Sequence, residues 1–161
     1  MSSTEKFLKL AGKAGVPYEI YTGSRIDKGN GQGGCYWSGN NKKLMVWNQV
    51  SSKDIAHELG HYFAVKDQKQ FSINNYGLDL DIFDSMEQER NACLLHFHLC
   101  DIFEVPRDTI ETDMYNCSFL EKQTAEQVFK DAEDTSNYKF KEVVLLARKI
   151  QGEYDTLNKL N

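Results

Sequence analysis

The spacing of apolar residues changes several times along the chain, and each change marks a predicted element. Helical spacing predicts five helices, at residues 3–14, 54–64, 85–103, 119–132 and 138–160. β-Prone, alternating stretches predict strands at residues 18–21, 35–37 and 44–47, the last two joined as a β-hairpin by a turn-rich tetrapeptide. We therefore predict an α+β fold in which a small antiparallel sheet packs on helices.

Two segments, the strand at 44–47 and the connection at 66–84, suggest how a substrate could bind. The strand at 44–47 leads directly towards the helix at 54–64, where it could be an edge strand that pairs with the backbone of a peptide substrate. Residues 66–84 are polar and irregular, and a connection of this length in a compact domain is often a lid or binding loop.

The chain length of 161 residues is typical of one domain. We predict a single zincin-like domain over residues 1–161. Its parts are an N-terminal helix and hairpin (1–53), two metal-site helices (54–103) and C-terminal helices (104–161).

The net charge of −5 is distributed unevenly. Residues 1–53 carry eight basic and three acidic side chains, whereas residues 54–118 carry four and thirteen. This balance gives no basic footprint for nucleic acid. No apolar run approaches the length of a membrane span, the first residues lack the apolar core of a signal peptide, and the four cysteines lack short paired spacing. We expect a cytoplasmic protein with reduced thiols that binds neither nucleic acid nor membrane.

The helix at 54–64 contains the pattern His-Glu-x-x-His, formed by His57, Glu58 and His61. Histidines four residues apart share one helix face, where two imidazoles can bind one Zn²⁺. Glu58 then lies beside the metal and can act as a general base in peptide hydrolysis. Gly60 costs about 1 kcal/mol relative to alanine in a helix, which indicates close backbone packing at that turn. If the two histidines are incidental, the protein is instead a metal-free globule.

A catalytic zinc site needs a third protein ligand, because its fourth position is kept for water. Glu89 shares the apolar face of the helix at 85–103, and we favour it. Glu87 lies about 200° around the same helix and is the second candidate. Asp67 has the spacing of a metzincin ligand, but the glycine that turns the chain in those enzymes is Ala64 here.

His96 and His98 complete the list of candidate ligands. His96 also falls on the face of the helix that carries Glu89. It could support a metal ligand, donate a hydrogen bond to a transition state, or be a buried histidine with one satisfied nitrogen. The sequence leaves these three roles open.

From about residue 16 to residue 99 the motifs follow a specific order: Gly34-Cys35-Tyr36, Leu44-Met45-Val46-Trp47-Asn48, Ile55-Ala56-His57-Glu58-Leu59-Gly60-His61 and Glu89-Arg90-Asn91-Ala92. In this order the chain resembles the ImmA/IrrE family of small zincin-like metallopeptidases. The resemblance implies that His57, His61 and Glu89 bind the metal. It also implies that Glu58 is the general base and that the substrate is a regulatory protein.

The resemblance weakens after the fourth motif. Cys93, Leu95 and His96 stand where the family has asparagine, phenylalanine and a second alanine, and the Leu-Leu-Met-Pro that usually ends the helix is absent. These departures bear on the third ligand, because the family's glutamate belongs to the same motif.

We therefore expect a zinc metalloendopeptidase that hydrolyses a peptide bond in a protein substrate. The alternative is a catalytically silent zincin-fold module that binds a protein partner and has a structural or vestigial metal site. Glu58 favours the enzyme, because a purely structural site does not need this carboxylate.

Overall fold

The structure is a computed structural model that describes residues 2–26, 34–38, 41–64, 82–106 and 138–160. Within these ranges, the side chains of residues 64, 82–90, 138 and 139 are not described. The elements in chain order are α1 (Ser3–Lys13), β1 (Tyr18–Tyr21), β2 (Cys35–Ser38), β3 (Lys43–Trp47), α2 (Ser52–Ala64), α3 (Ile82–Ile102) and α4 (Tyr138–Leu160). The described part is therefore α+β, as predicted. The predicted helix at 119–132 and the connection at 66–81 lie outside the described residues.

The first helix is bounded by local signals at both ends. Ser2 caps its N-terminus: the Ser2 hydroxyl accepts a hydrogen bond from the Glu5 backbone N–H, and the Glu5 carboxylate accepts one from the Ser2 N–H. Gly15 follows the helix with a φ of 78°, a conformation that glycine adopts without steric cost. Pro17 then prevents the helix from resuming. The predicted helix at 3–14 is confirmed to within one residue.

The sheet is mixed rather than antiparallel, which corrects our prediction. Its strand order is β1-β3-β2, with β3 antiparallel to β2 and parallel to β1. The hairpin places β2 on one side of β3, so β1 pairs along the other side. Tyr21, at the end of β1, and Cys35, at the start of β2, therefore lie at the same end of the sheet, two strand spacings or about 10 Å apart.

The same order corrects the prediction that the strand at 44–47 forms the edge of the sheet. That strand is β3, which is central, with Tyr18 opposite Leu44 on one side and Trp37 opposite Leu44 on the other. Among the described strands, β2 is the edge strand that packs on α2, where the rings of Trp37 and Tyr62 lie 5.5 Å apart between centroids. A peptide that pairs with this sheet beside α2 would therefore pair with β2.

Helix α3 begins earlier than predicted. Residues 82–84 are helical, although the polar pattern assigned them to the preceding connection. Ile82 and Phe83 extend the apolar run of the helix, and an acidic residue such as Asp84 is favourable near a helix N-terminus. The helix ends at Ile102 and is followed by Glu104 with a φ of 58°.

A single buried cluster joins the four described helices to β2 and β3. Its largest fully buried side chains include Phe7, Phe63, Phe103, Phe140, Leu59 and Leu99. Helices α2 and α3 form the most extensive contact between described elements, and α2 lies between β2 and α3. The prediction that residues 1–161 form one domain stays a prediction.

Helices α3 and α4 contain 21 and 23 residues, so each is long enough to reach across a bilayer. Both carry several charged side chains along their length. Among the described helices, none combines this length with the apolar character of a membrane span.

Candidate metal centre

His57 and His61 lie one turn apart on α2, and the Nε2 atoms of their two imidazoles face each other. The two Nε2 atoms are 3.0 Å apart, and the ring planes are perpendicular, at 89°. Two nitrogens that bind one tetrahedral Zn²⁺ at about 2.0–2.1 Å lie about 3.3 Å from each other. The histidine pair therefore fits a shared zinc ion after a movement of a few tenths of an ångström.

The approach of α3 to this pair depends on Gly60. A Cβ atom added at Gly60 would lie 3.1 Å from the carbonyl carbon of Ala92 and closer still to its oxygen. Real Cβ atoms do not make such contacts with backbone, so only glycine permits this helix crossing. The close backbone packing predicted from the sequence is therefore confirmed, and it brings α3 against the histidine face of α2.

His96 is the α3 side chain that reaches His57. Its Nδ1 atom lies 3.3 Å from the Nδ1 atom of His57, and His96 is only 1% exposed. His61 and His96 therefore contact opposite nitrogens of one imidazole ring. This arrangement places His96 behind His57 and away from the Nε2 pair, so the described geometry does not support His96 as the third ligand.

The side chains of the three acidic candidates for the third ligand are not described. Glu89 and Glu87 belong to α3, but their side chains are outside the described part, and Asp67 lies outside it altogether. His98 is buried on α3, but it lies two residues after His96 and therefore about 200° around the helix, away from the face that meets His57. Among the described side chains, no group of three His, Cys, Asp or Glu residues is arranged to hold a metal ion. The described part thus provides two nitrogen donors, and the preference for Glu89 stays a prediction.

Glu58 is half-buried and acts electrostatically on β2. Burial raises the pKa of the Cys35 thiol well above its usual value, and the nearby Glu58 and Asp54 carboxylates raise it further. Cys35 is the first residue of β2, so the negative charge of Glu58 lies near the edge strand that packs on α2. A carboxylate in this position can act on a group bound between α2 and β2.

Asp54 lies one turn before His57 and is also half-buried. Burial raises the pKa of its carboxyl group, although Lys53, His57 and Arg25 act in the opposite direction. The start of α2 is therefore a partly desolvated environment, in which charge interactions are stronger than in water.

Sequence reasoning identified His57, Glu58 and His61, and the structure brings the two histidines together. The sequence also pointed to His96 but left its role open. Helix periodicity shows which face of a helix carries a residue, but not which atom of a neighbouring helix that residue contacts. It missed the proximity of Cys35 to Glu58, for which the sequence contains no local signal.

In comparisons with known proteins, no protein-family model matches the chain, and no significant match was found among curated proteins or solved structures. The case for a function therefore depends on the residues themselves and their geometry.

Proposed function

We propose that this protein is a zinc-dependent metallopeptidase that hydrolyses a peptide bond in a protein substrate, and that it belongs with the ImmA/IrrE-like zincins. The observation that carries the proposal is the convergence of the His57 and His61 Nε2 atoms, 3.0 Å apart, on a helix that also carries Glu58. The donor chemistry suits Zn²⁺, because neutral imidazole is among its preferred ligands.

His57 and His61 would hold the zinc ion, with Glu89 as our favoured third ligand. When bound, zinc would act as a Lewis acid that polarises the scissile carbonyl group. Glu58 would accept a proton from the attacking water and donate it to the departing amine nitrogen. The half-buried position of Glu58 keeps its carboxylate partly desolvated, where it interacts more strongly with nearby charge.

The edge strand β2 would orient the substrate. An extended peptide that hydrogen-bonds to an exposed strand edge gains affinity through its main chain, with limited dependence on side-chain identity. Because β2 packs on α2, a peptide bound there would pass near Glu58. A cytoplasmic setting is part of the proposal, and it agrees with the presence of Cys35, Cys93 and Cys100 as thiols.

Replacing Glu58 with glutamine tests the proposal. Glu58→Gln removes the proton acceptor but preserves size, so we expect cleavage of a quenched fluorescent casein to fall by about 100-fold or more. Zinc content, measured by elemental analysis, should stay at one ion per chain. Asp54→Asn is the matched control, since it neutralises another half-buried acid of α2, and it should retain most of the activity.

Three results would contradict the proposal. The general-base role is wrong if Glu58→Gln cleaves as fast as the wild type. A zinc-loaded wild type that cleaves nothing would favour the protein-binding module. Absence of zinc from protein purified without chelator and then supplied with Zn²⁺ would leave only the metal-free globule.

A further inference from the structure

We infer that His96 is a positioning residue that holds the proton of His57 on Nδ1 and thereby leaves Nε2 available for the metal. This inference rests on the proposed function, because it assigns His96 a task in the same site. His96 would contact neither the zinc ion nor the substrate, and it would act entirely through His57.

The position of His96 follows from the crossing of α2 and α3. Gly60 meets Ala92, and His57, one turn earlier on α2, meets His96, one turn later on α3. The contacts thus run in opposite directions along the two helices, which holds the two imidazoles at a fixed separation. Because His57 is 4% exposed and His96 1% exposed, bulk water has little access to the hydrogen bond between them.

The inference follows from where the protons must be. A neutral imidazole carries one proton, so His57 can bind a metal through Nε2 only when its proton is on Nδ1. That Nδ1–H points at the Nδ1 atom of His96, 3.3 Å away, which must then accept the hydrogen bond. His96 therefore carries its own proton on Nε2.

The opposite arrangement would close the site. If His96 donated from its Nδ1 atom, the proton of His57 would lie on Nε2 and would point at His61, 3.0 Å away. The Nε2 atom of His57 would then present a proton, and not a lone pair, to a cation beside His61. The hydrogen bond between His57 and His96 thus determines whether two nitrogen donors or one are available to a cation.

An ordinary packing role would place different demands on this position. A buried apolar residue fills such a space without a polar group that needs a partner. Metal-binding histidines usually donate their second N–H to an acceptor, and removal of that acceptor typically weakens metal affinity by about 10- to 100-fold. A packing role predicts that shape matters at position 96, whereas a positioning role predicts that the acceptor matters.

The test compares zinc affinity in four full-length proteins: wild type, His96→Asn, His96→Leu and His98→Leu. Asparagine offers a carbonyl oxygen close to the place of the imidazole Nδ1 atom, and leucine is apolar with a similar bulk. His98→Leu is the control, because His98 is also buried on α3. The measurement is competition for Zn²⁺ with a chelating dye, and long-range ¹⁵N NMR of the zinc-loaded protein reports which nitrogen of His57 carries the proton.

We expect His96→Leu to bind zinc about 10- to 100-fold more weakly than the wild type. His96→Asn should stay within a few-fold of the wild type with the His57 proton on Nδ1, and His98→Leu should match the wild type.

The inference is overturned if His96→Leu binds as tightly as the wild type, or if His96→Asn loses as much affinity as His96→Leu. Either result leaves the proposed function intact. A wild type that binds no Zn²⁺ overturns the proposed function and this inference together.

Discussion

Two places in the described part of the core hold ionisable side chains in different surroundings. On α1, the Lys6 Nζ atom lies 3.5 Å from the backbone oxygen of Phe103 and 4.0 Å from the centre of the Tyr154 ring. Between α2 and α3, the imidazoles of His57, His61 and His96 contact one another. Both places lie in one continuous core, but only the second assembles several titratable groups.

The difference indicates which place serves stability and which serves chemistry. Lys6 connects α1, the end of α3 and α4 through one cation, an acceptor and an aromatic face, which packing and electrostatics fully explain. Apolar side chains at these positions would stabilise the core at least as well as three adjacent imidazoles. Under the proposed function, His57 and His61 would bind a cation and His96 would act through His57, which gives each of the three imidazoles a task.

The largest expected effect concerns the contact that holds the histidine region together. Gly60→Ala would force the new methyl group into the Ala92 carbonyl, so α2 and α3 would have to separate. We expect the free energy of unfolding to fall by about 3 kcal/mol. Urea denaturation measures this loss, and zinc affinity should fall with it, because His96 moves away with α3.

Gly152→Ala is the matched control. Gly152 is also helical, on α4, but an added Cβ there meets nothing within 4 Å. This variant should gain about 0.5–1 kcal/mol from helix propensity. If both variants change stability by the same amount and sign, the close contact at Gly60 does not have the importance we give it.

A smaller effect, limited to alkaline pH, concerns the charge of Glu58. The folded protein raises the pKa of Cys35, so the folded state keeps a proton that the unfolded thiol loses above about pH 8.5. This contribution to stability is complete below that pH and is lost as the pH rises further, with a slope of at most about 1.4 kcal/mol per pH unit.

Denaturation curves between pH 7 and pH 10 check this expectation. Cys35→Ala should show a shallower decline than the wild type, because it removes the thiol itself. Glu58→Gln should follow the wild type until its folded thiol begins to lose a proton and should decline less steeply above that pH, because it removes one of the two smaller causes of the raised pKa. A wild-type decline no steeper than that of Cys35→Ala would show that the folded protein does not raise the pKa of this thiol.

The smallest effect is expected at Lys6, on α1. Lys6→Met keeps most of the apolar stem and removes the charge. The lost cation–π contact and hydrogen bond are offset by the relieved desolvation of the ammonium group, so we expect a change in stability within about 1 kcal/mol. Zinc affinity should stay the same. A loss of zinc affinity as large as that of His96→Leu would show that the two regions are coupled.

Local patterns predicted most of the described elements. The capped helix from Ser3, the strand at Tyr18–Tyr21 and the hairpin before α2 each depend on neighbouring residues, so the sequence determines them locally. The His57 and His61 pair was equally predictable, because four residues on a helix fix which side chains are adjacent.

Features that depend on long-range pairing were predicted less well. The partner of β1 is β3 rather than the strand that follows it, and no alternation within Tyr18–Tyr21 encodes that choice. The facing nitrogens of His57 and His96 depend on the separation of two helices, which is set by Gly60 on one of them. The close packing at Gly60 was predicted, but its neighbour across the interface, Ala92, was not.

For protein engineering, the crossing at position 60 sets a practical limit. The atoms that crowd this position belong to the main chain of Ala92, so no compensating mutation at a second site can make room for a side chain. Variant libraries should therefore keep this glycine constant and vary residues of β2 instead.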